Sequence, residues 1–122
     1  MLIEFLKADF CFDDERGSLV QLVREGWKQV NVIRSEAGVE RGGHYHAQNS
    51  EAFYVISGSF ELEVEDLDSG EKERLIMKPG DFFRIRPNLL HGFHFLEETW
   101  LVSLYDRGVE LSEGSKDILT QS

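Results

Sequence analysis

Along residues 60–65 the chain alternates strictly, with Phe60, Leu62 and Val64 between Glu61, Glu63 and Glu65. That is the period of a sheet with one face buried and the other wet. Shorter apolar runs predict further strands at residues 19–24, 28–35, 52–56, 74–77, 82–86, 92–96 and 100–105. Turn residues punctuate them: Glu25-Gly26, Ser57-Gly58-Ser59, the polar loop 66–71, Lys78-Pro79-Gly80-Asp81, Pro87-Asn88 and Glu97-Glu98-Thr99. No stretch carries the period of a long helix. Short strands at regular spacing predict an all-β sandwich or barrel. Residues 12–19 read as a hairpin at the barrel edge with Arg16-Gly17 as its turn. The polar stretch 112–122 reads as a short helix or loose tail.

Composition narrows the picture. A chain of 122 residues suits one domain spanning 1–122. The aromatics Phe53, Phe60, Phe82, Phe83, Phe93, Phe95 and Trp100 are expected in the barrel core. A net charge of -10 argues against nucleic-acid partners, which need phosphate neutralisation, and against anionic membrane surfaces. It leaves room for a phosphorylated small molecule held by a few arginines. No apolar run is long enough to span a membrane, and the N-terminus lacks the basic start and apolar centre of a signal peptide, so a cytoplasmic protein is expected. Cys11 is the one cysteine and is expected as a buried or half-buried thiol. Leu2, Ile3, Phe5, Leu6, Phe10 and Phe12 make the N-terminal segment more apolar than a free terminus needs. A homodimer in which an N-terminal strand extends the partner's sheet is therefore expected.

The chemistry concentrates in residues 38–58, where the spacing is G-x5-H-x-H-x4-E-x6-G. Residues two apart on a strand share a face, so His44 and His46 present their imidazoles together. Residues 47–50 allow a turn, after which Glu51 can return its carboxylate to the same face. Two imidazoles and a carboxylate suit one divalent ion such as Zn, Ni, Fe or Mn. His91, after the Pro79-Gly80-Asp81 hairpin, supplies a fourth donor if that hairpin lies across the first. The alternative for these residues is a solvent-facing histidine pair and an exposed carboxylate. His94 fits no ligand position and is expected at the surface or beside the site.

These two segments resemble the two motifs of the cupin superfamily, departing only at Pro87, one residue late, and at Phe95, where the motif usually has Asn. The resemblance implies a double-stranded β-helix, the jelly-roll cupin barrel, with His44, His46, Glu51 and His91 as metal ligands. More specifically, residues 12–19 (FDDERGSL), 35–45 (SEAGVERGGHY) and 87–96 (PNLLHGFHFL) resemble the dTDP-4-dehydrorhamnose 3,5-epimerase family. The segment around Arg41 also looks like that of the sugar 3,4-ketoisomerases. By this resemblance Arg41, and Arg16 with it, approaches substrate phosphates, and His44 matches the catalytic base. The chain departs from both families in carrying Glu51, since those enzymes typically work without a metal. At the position of the epimerases' acid tyrosine it has Val109, with Tyr105 out of register.

Three functions follow as expectations. The first is a metal-dependent epimerase or isomerase of a nucleotide-linked keto-sugar in cell-surface polysaccharide synthesis, with Tyr54 or Glu40 as guesses for the proton-transfer group. The second is a metal-dependent dioxygenase. The third is a non-catalytic cupin that binds a small molecule.

Overall fold

The protein is represented by a computed structural model, in which residues 1–121 are described. Its strands are β1 (Glu4–Phe5), β2 (Phe10–Asp14), β3 (Gly17–Gln21), β4 (Gln29–Ser35), β5 (Glu40–Tyr45), β6 (Glu51–Ser57), β7 (Phe60–Asp66), β8 (Lys72–Met77), β9 (Phe82–Ile85), β10 (Leu89–Phe95), β11 (Thr99–Tyr105) and β12 (Leu119–Thr120). Among the described residues there is no helix, and so none long and apolar enough to cross a membrane. One sheet has the order β1-β9-β6-β11-β4, a second β12-β5-β10-β7-β8, and β2-β3 forms a separate hairpin. All pairings are antiparallel. This is the jelly-roll cupin barrel that the resemblance implies, and it meets the all-β expectation drawn from the strand spacing.

The alternation along β7 sets its place: Phe60, Leu62 and Val64 face inward and meet Phe53, Val55, Phe83, Phe93, Phe95 and Leu101 between the sheets. Part of the outer face of the first sheet is covered as well. Ala52, Phe82 and Leu104 pack there against Leu6, Leu22, Val23, Trp27, Tyr54 and Val102. β6 is therefore apolar on both faces, as a doubly covered strand must be. Residues 22–24, read from the sequence as strand, leave the ladder, and Leu22 and Val23 serve this outer layer.

Four further expectations change. Cys11 is exposed, because its hairpin stands off the barrel. Trp100 lies on the outside while the other six aromatics are buried. The N-terminal strand pairs within its own chain, Glu4 opposite Arg84 and Phe5 opposite Phe83, and Ile3 enters the core. The stretch from 112 is neither helix nor loose tail. Asp117 is buried, and β12 extends the second sheet beside β5; Ser122 lies outside the described residues.

Candidate functional site

β5 and β10 pair with a register shift. His44 stands opposite His91, but Gly42 stands opposite Gly92, so Gly43 is the extra residue of a β-bulge. Gly42 and Gly43 both have left-handed φ, 111° and 71°. A side chain at Gly42 would put Cβ 2.7 Å from the His91 carbonyl oxygen. The bulge changes the parity of the strand. Arg41 and His44, three apart, would face opposite ways on a regular strand, yet both line one cavity of 220 Å³ between the sheets.

At the inner end of that cavity His46, Glu51 and His91 converge, all buried, with one donor atom from each within 4.8 Å of the others. Glu51 Oε1 lies 2.9 Å from His46 Nε2 and 3.5 Å from His91 Nε2. Its other oxygen accepts from Ser103 Oγ at 2.7 Å. The far nitrogen of each ring is committed: His46 Nδ1 donates to the Asp117 carbonyl (2.6 Å) and His91 Nδ1 to the Leu89 carbonyl (2.9 Å). With Nδ1 protonated, each neutral ring turns an Nε2 lone pair toward the carboxylate. Acceptors facing one another in a buried space call for a cation, either a proton or a metal ion. Donor type, burial and oriented outer nitrogens all fit a divalent metal.

The local electrostatics agree. Burial pushes the Glu51 carboxyl up, but its hydrogen bonds with His46 and His91 outweigh this and hold it down at about 2. Burial disfavours charge on His46, and the Glu51 carboxylate and Asp117 carbonyl more than reverse it, so its pKa is raised. His44 is different. Burial, then the neighbouring His91 and His46, lower its pKa and keep it neutral.

Of the four expected ligands, the structure brings together His46, Glu51 and His91; His44 lines the same cavity outside that group. Arg41 reaches the cavity with Nε donating to Ser35 Oγ at 2.8 Å, an uncharged partner that leaves its charge available to an anion. Arg16 sits at the β2-β3 turn against Asp14 and does not line the cavity. Neither guessed proton-transfer group faces inward. Glu40 is exposed beside His94, and Tyr54 packs on the outer layer. The tyrosine that does line the cavity is Tyr105, opposite Glu51 in the ladder and edge-on to His46. Its hydroxyl pKa is raised by burial and then by Glu51. Alternation of Leu101, Ser103 and Tyr105 along β11 is the signal that places Ser103 and Tyr105 inside. Asp117 had no such signal, being one acid in a polar stretch.

The polysaccharide biosynthesis C-terminal domain family matches residues 12–99. A curated relative, the UDP-2-acetamido-2,6-beta-L-arabino-hexul-4-ose reductase of Pseudomonas aeruginosa, is 32% identical over 75 residues. That match takes in 56% of this chain and spans only 20% of the relative's length. Among solved structures, a 3,4-ketoisomerase from Helicobacter canadensis superposes with a TM-score of 0.79 at 19% identity, covering 99% of this chain and 92% of the other. The dTDP-4-dehydrorhamnose 3,5-epimerase from Sulfolobus tokodaii gives 0.71 at 21% identity, covering 86% and 75%. The capsular polysaccharide assembling protein CapF from Staphylococcus aureus gives 0.69 at 19%, covering 93% and 34%. At these identities the structural likenesses establish the fold.

Proposed function

The chain belongs to the polysaccharide biosynthesis C-terminal domain family, and from that premise we propose that it epimerises or isomerises a nucleotide-linked keto-sugar, in the cytoplasm, with one divalent ion held by His46, Glu51 and His91. The observation that carries this reading is the meeting of those three buried donors in a cavity that also holds the His44 imidazole and an arginine. The ion would supply Lewis acidity toward a substrate oxygen. His44, beside the ion site but outside the donor group, accepts the proton from the carbon next to the sugar's carbonyl. Arg41 at the cavity mouth takes the diphosphate in a charge-assisted contact. Phe53, Phe93, Phe95 and Leu101 line the cavity and exclude water from the sugar.

Solvent deuterium incorporation tests the reaction. In D₂O a dTDP- or UDP-linked 4-keto-sugar gains deuterium at the carbon next to the carbonyl, and His44→Ala abolishes the exchange while retaining the ion. If His44→Ala loses the ion instead, His44 is its fourth ligand, as the sequence motif implies. No uptake with any such sugar would refute the reaction. One feature favours a second reading: two histidines and one carboxylate are also the donor set of non-haem iron oxygenases. Oxygen consumption by the iron-loaded protein with an organic substrate, in place of deuterium uptake, would establish that reading.

A homodimer belongs to the same proposal. The β2-β3 hairpin leaves Phe10, Phe12 and Leu19 about half exposed, and edge strand β4 exposes Val30 at 61% and Val32 at 66%. A lone hairpin is only marginally stable in water, and a second copy gives both surfaces a partner.

A further inference from the structure

We infer that Asp117 is a positioning residue for the cavity: it pins residues 117–120 across the β5–β6 loop and thereby keeps a ring proton on Nδ1 of His46. Its side chain is 2% exposed. Oδ1 accepts from the Ala47 amide at 2.8 Å, and Oδ2 accepts from the Gln48 amide, the Asn49 amide and Asn49 Nδ2, each at 2.9 Å. One carboxylate thus gathers the loop that separates His46 from Glu51. Its own amide is tied to the Val109 carbonyl at 2.7 Å. The geometry leaves its carbonyl 2.6 Å from His46 Nδ1. The next residue, Ile118, lines the cavity, and β12 then pairs Leu119 with Tyr45 and Thr120 with His44.

Two acceptors compete for the ring protons of His46: the Asp117 carbonyl at Nδ1 and Glu51 Oε1 at Nε2. While the carbonyl is in place, Nδ1 keeps its proton and Nε2 can be given up to a cation. Without it, the carboxylate wins and the proton settles on Nε2, which blocks that donor. His91 supplies an internal control. Its Nδ1 is held by the Leu89 carbonyl, two residues away on the same strand, so nothing at 117–120 bears on it. The cavity therefore has one locally oriented imidazole and one oriented from 71 residues away in sequence.

The test reads the ring N–H groups of the metal-free full chain by ¹H–¹⁵N NMR, and Co²⁺ binding by calorimetry, for Asp117→Ala and Asp117→Asn. The wild type shows slowly exchanging Nδ1–H signals for both His46 and His91. In Asp117→Ala the His46 Nδ1–H signal is lost or exchanges fast, while His91 is unchanged. Co²⁺ binding weakens by about 10–100-fold, the usual effect of removing the partner of a ligating histidine. Asp117→Asn, which keeps one acceptor oxygen, shifts both readouts partway and decides the matter if the alanine variant does not fold. A His46 signal unchanged in the variant that folds, or a lowered melting temperature with no change specific to His46, overturns the inference. The Co²⁺ arm rests on the metal reading above. A wild type that binds no Co²⁺ yet shows the expected His46 change sinks that reading and leaves the role of Asp117 standing.

Discussion

Replacing Gly42 by alanine probes the bulge on which the cavity depends. At φ 111° the backbone lies where side chains rarely go, a cost of about 1–3 kcal/mol. The new Cβ would also stand 2.7 Å from the His91 oxygen and 2.8 Å from Gly92 Cα. Both are backbone atoms of the adjoining strand and cannot swing aside, which adds about 1–3 kcal/mol of overpacking. The total is about 2–6 kcal/mol, a large part of what holds a small domain folded. Gly43 is the matched control: its φ is 71° and a methyl there would meet nothing within 4 Å, so Gly43→Ala costs only about 1–2 kcal/mol. Equilibrium urea unfolding reads the difference. With a slope of about 1–3 kcal/mol per molar for a protein of this size, the Gly42→Ala midpoint falls well below that of Gly43→Ala. Equal midpoints would refute the argument that close strand approach, and not φ alone, demands glycine at 42.

The remaining expectations concern the site, the assembly and pH. Elemental analysis should find about one divalent ion per chain, with His46→Ala and His91→Ala each lowering occupancy; full occupancy in the double variant would refute the assignment. Arg41→Ala should weaken nucleotide-sugar binding by about 10–100-fold, the loss of a charge-assisted contact worth about 1.5–3 kcal/mol. It should change turnover much less, since a phosphate contact serves ground and transition states alike. Light scattering should give a dimer mass for the wild type and a monomer mass for Phe12→Asp with Val32→Lys; a wild-type monomer at ~10 μM would count against the interface. Asp66 has its pKa lowered by the Asp68 amide and then Arg86, so its contribution is present above the unfolded value of about 3.9 and disappears as pH falls through the lower folded value. The urea midpoints of wild type and Asp66→Asn should therefore differ at pH ~7 and converge in acid.

What the sequence discloses and what it withholds divide along the range of the interactions. Phe60, Leu62 and Val64 announce their inner face because strand alternation is local. His46 and Glu51 are legible because one short loop joins them. His91 needs the motif resemblance, since only the folded barrel brings β10 across β5. The outer layer is hidden because Leu22 and Val23 look like strand while covering one. The exposure of Cys11 is hidden because nothing local says that a hairpin stands away from its barrel. Asp117 lies beyond reach for the same reason: its partners are about seventy residues away, and no pattern in a polar stretch marks one carboxylate among several.

The Ser103 hydroxyl has a bearing on ion choice. By donating to Glu51 Oε2 at 2.7 Å it competes with a two-toothed grip and favours a single carboxylate oxygen beside two imidazole nitrogens. Calcium, which takes about 6–8 oxygen donors, finds too few here. Magnesium, which sheds its water shell reluctantly, finds two nitrogens for which it has little appetite. In the proposed ion site Ser103 would thus disfavour calcium and magnesium without being a ligand, and Ser103→Ala, by freeing the second oxygen, would loosen that discrimination.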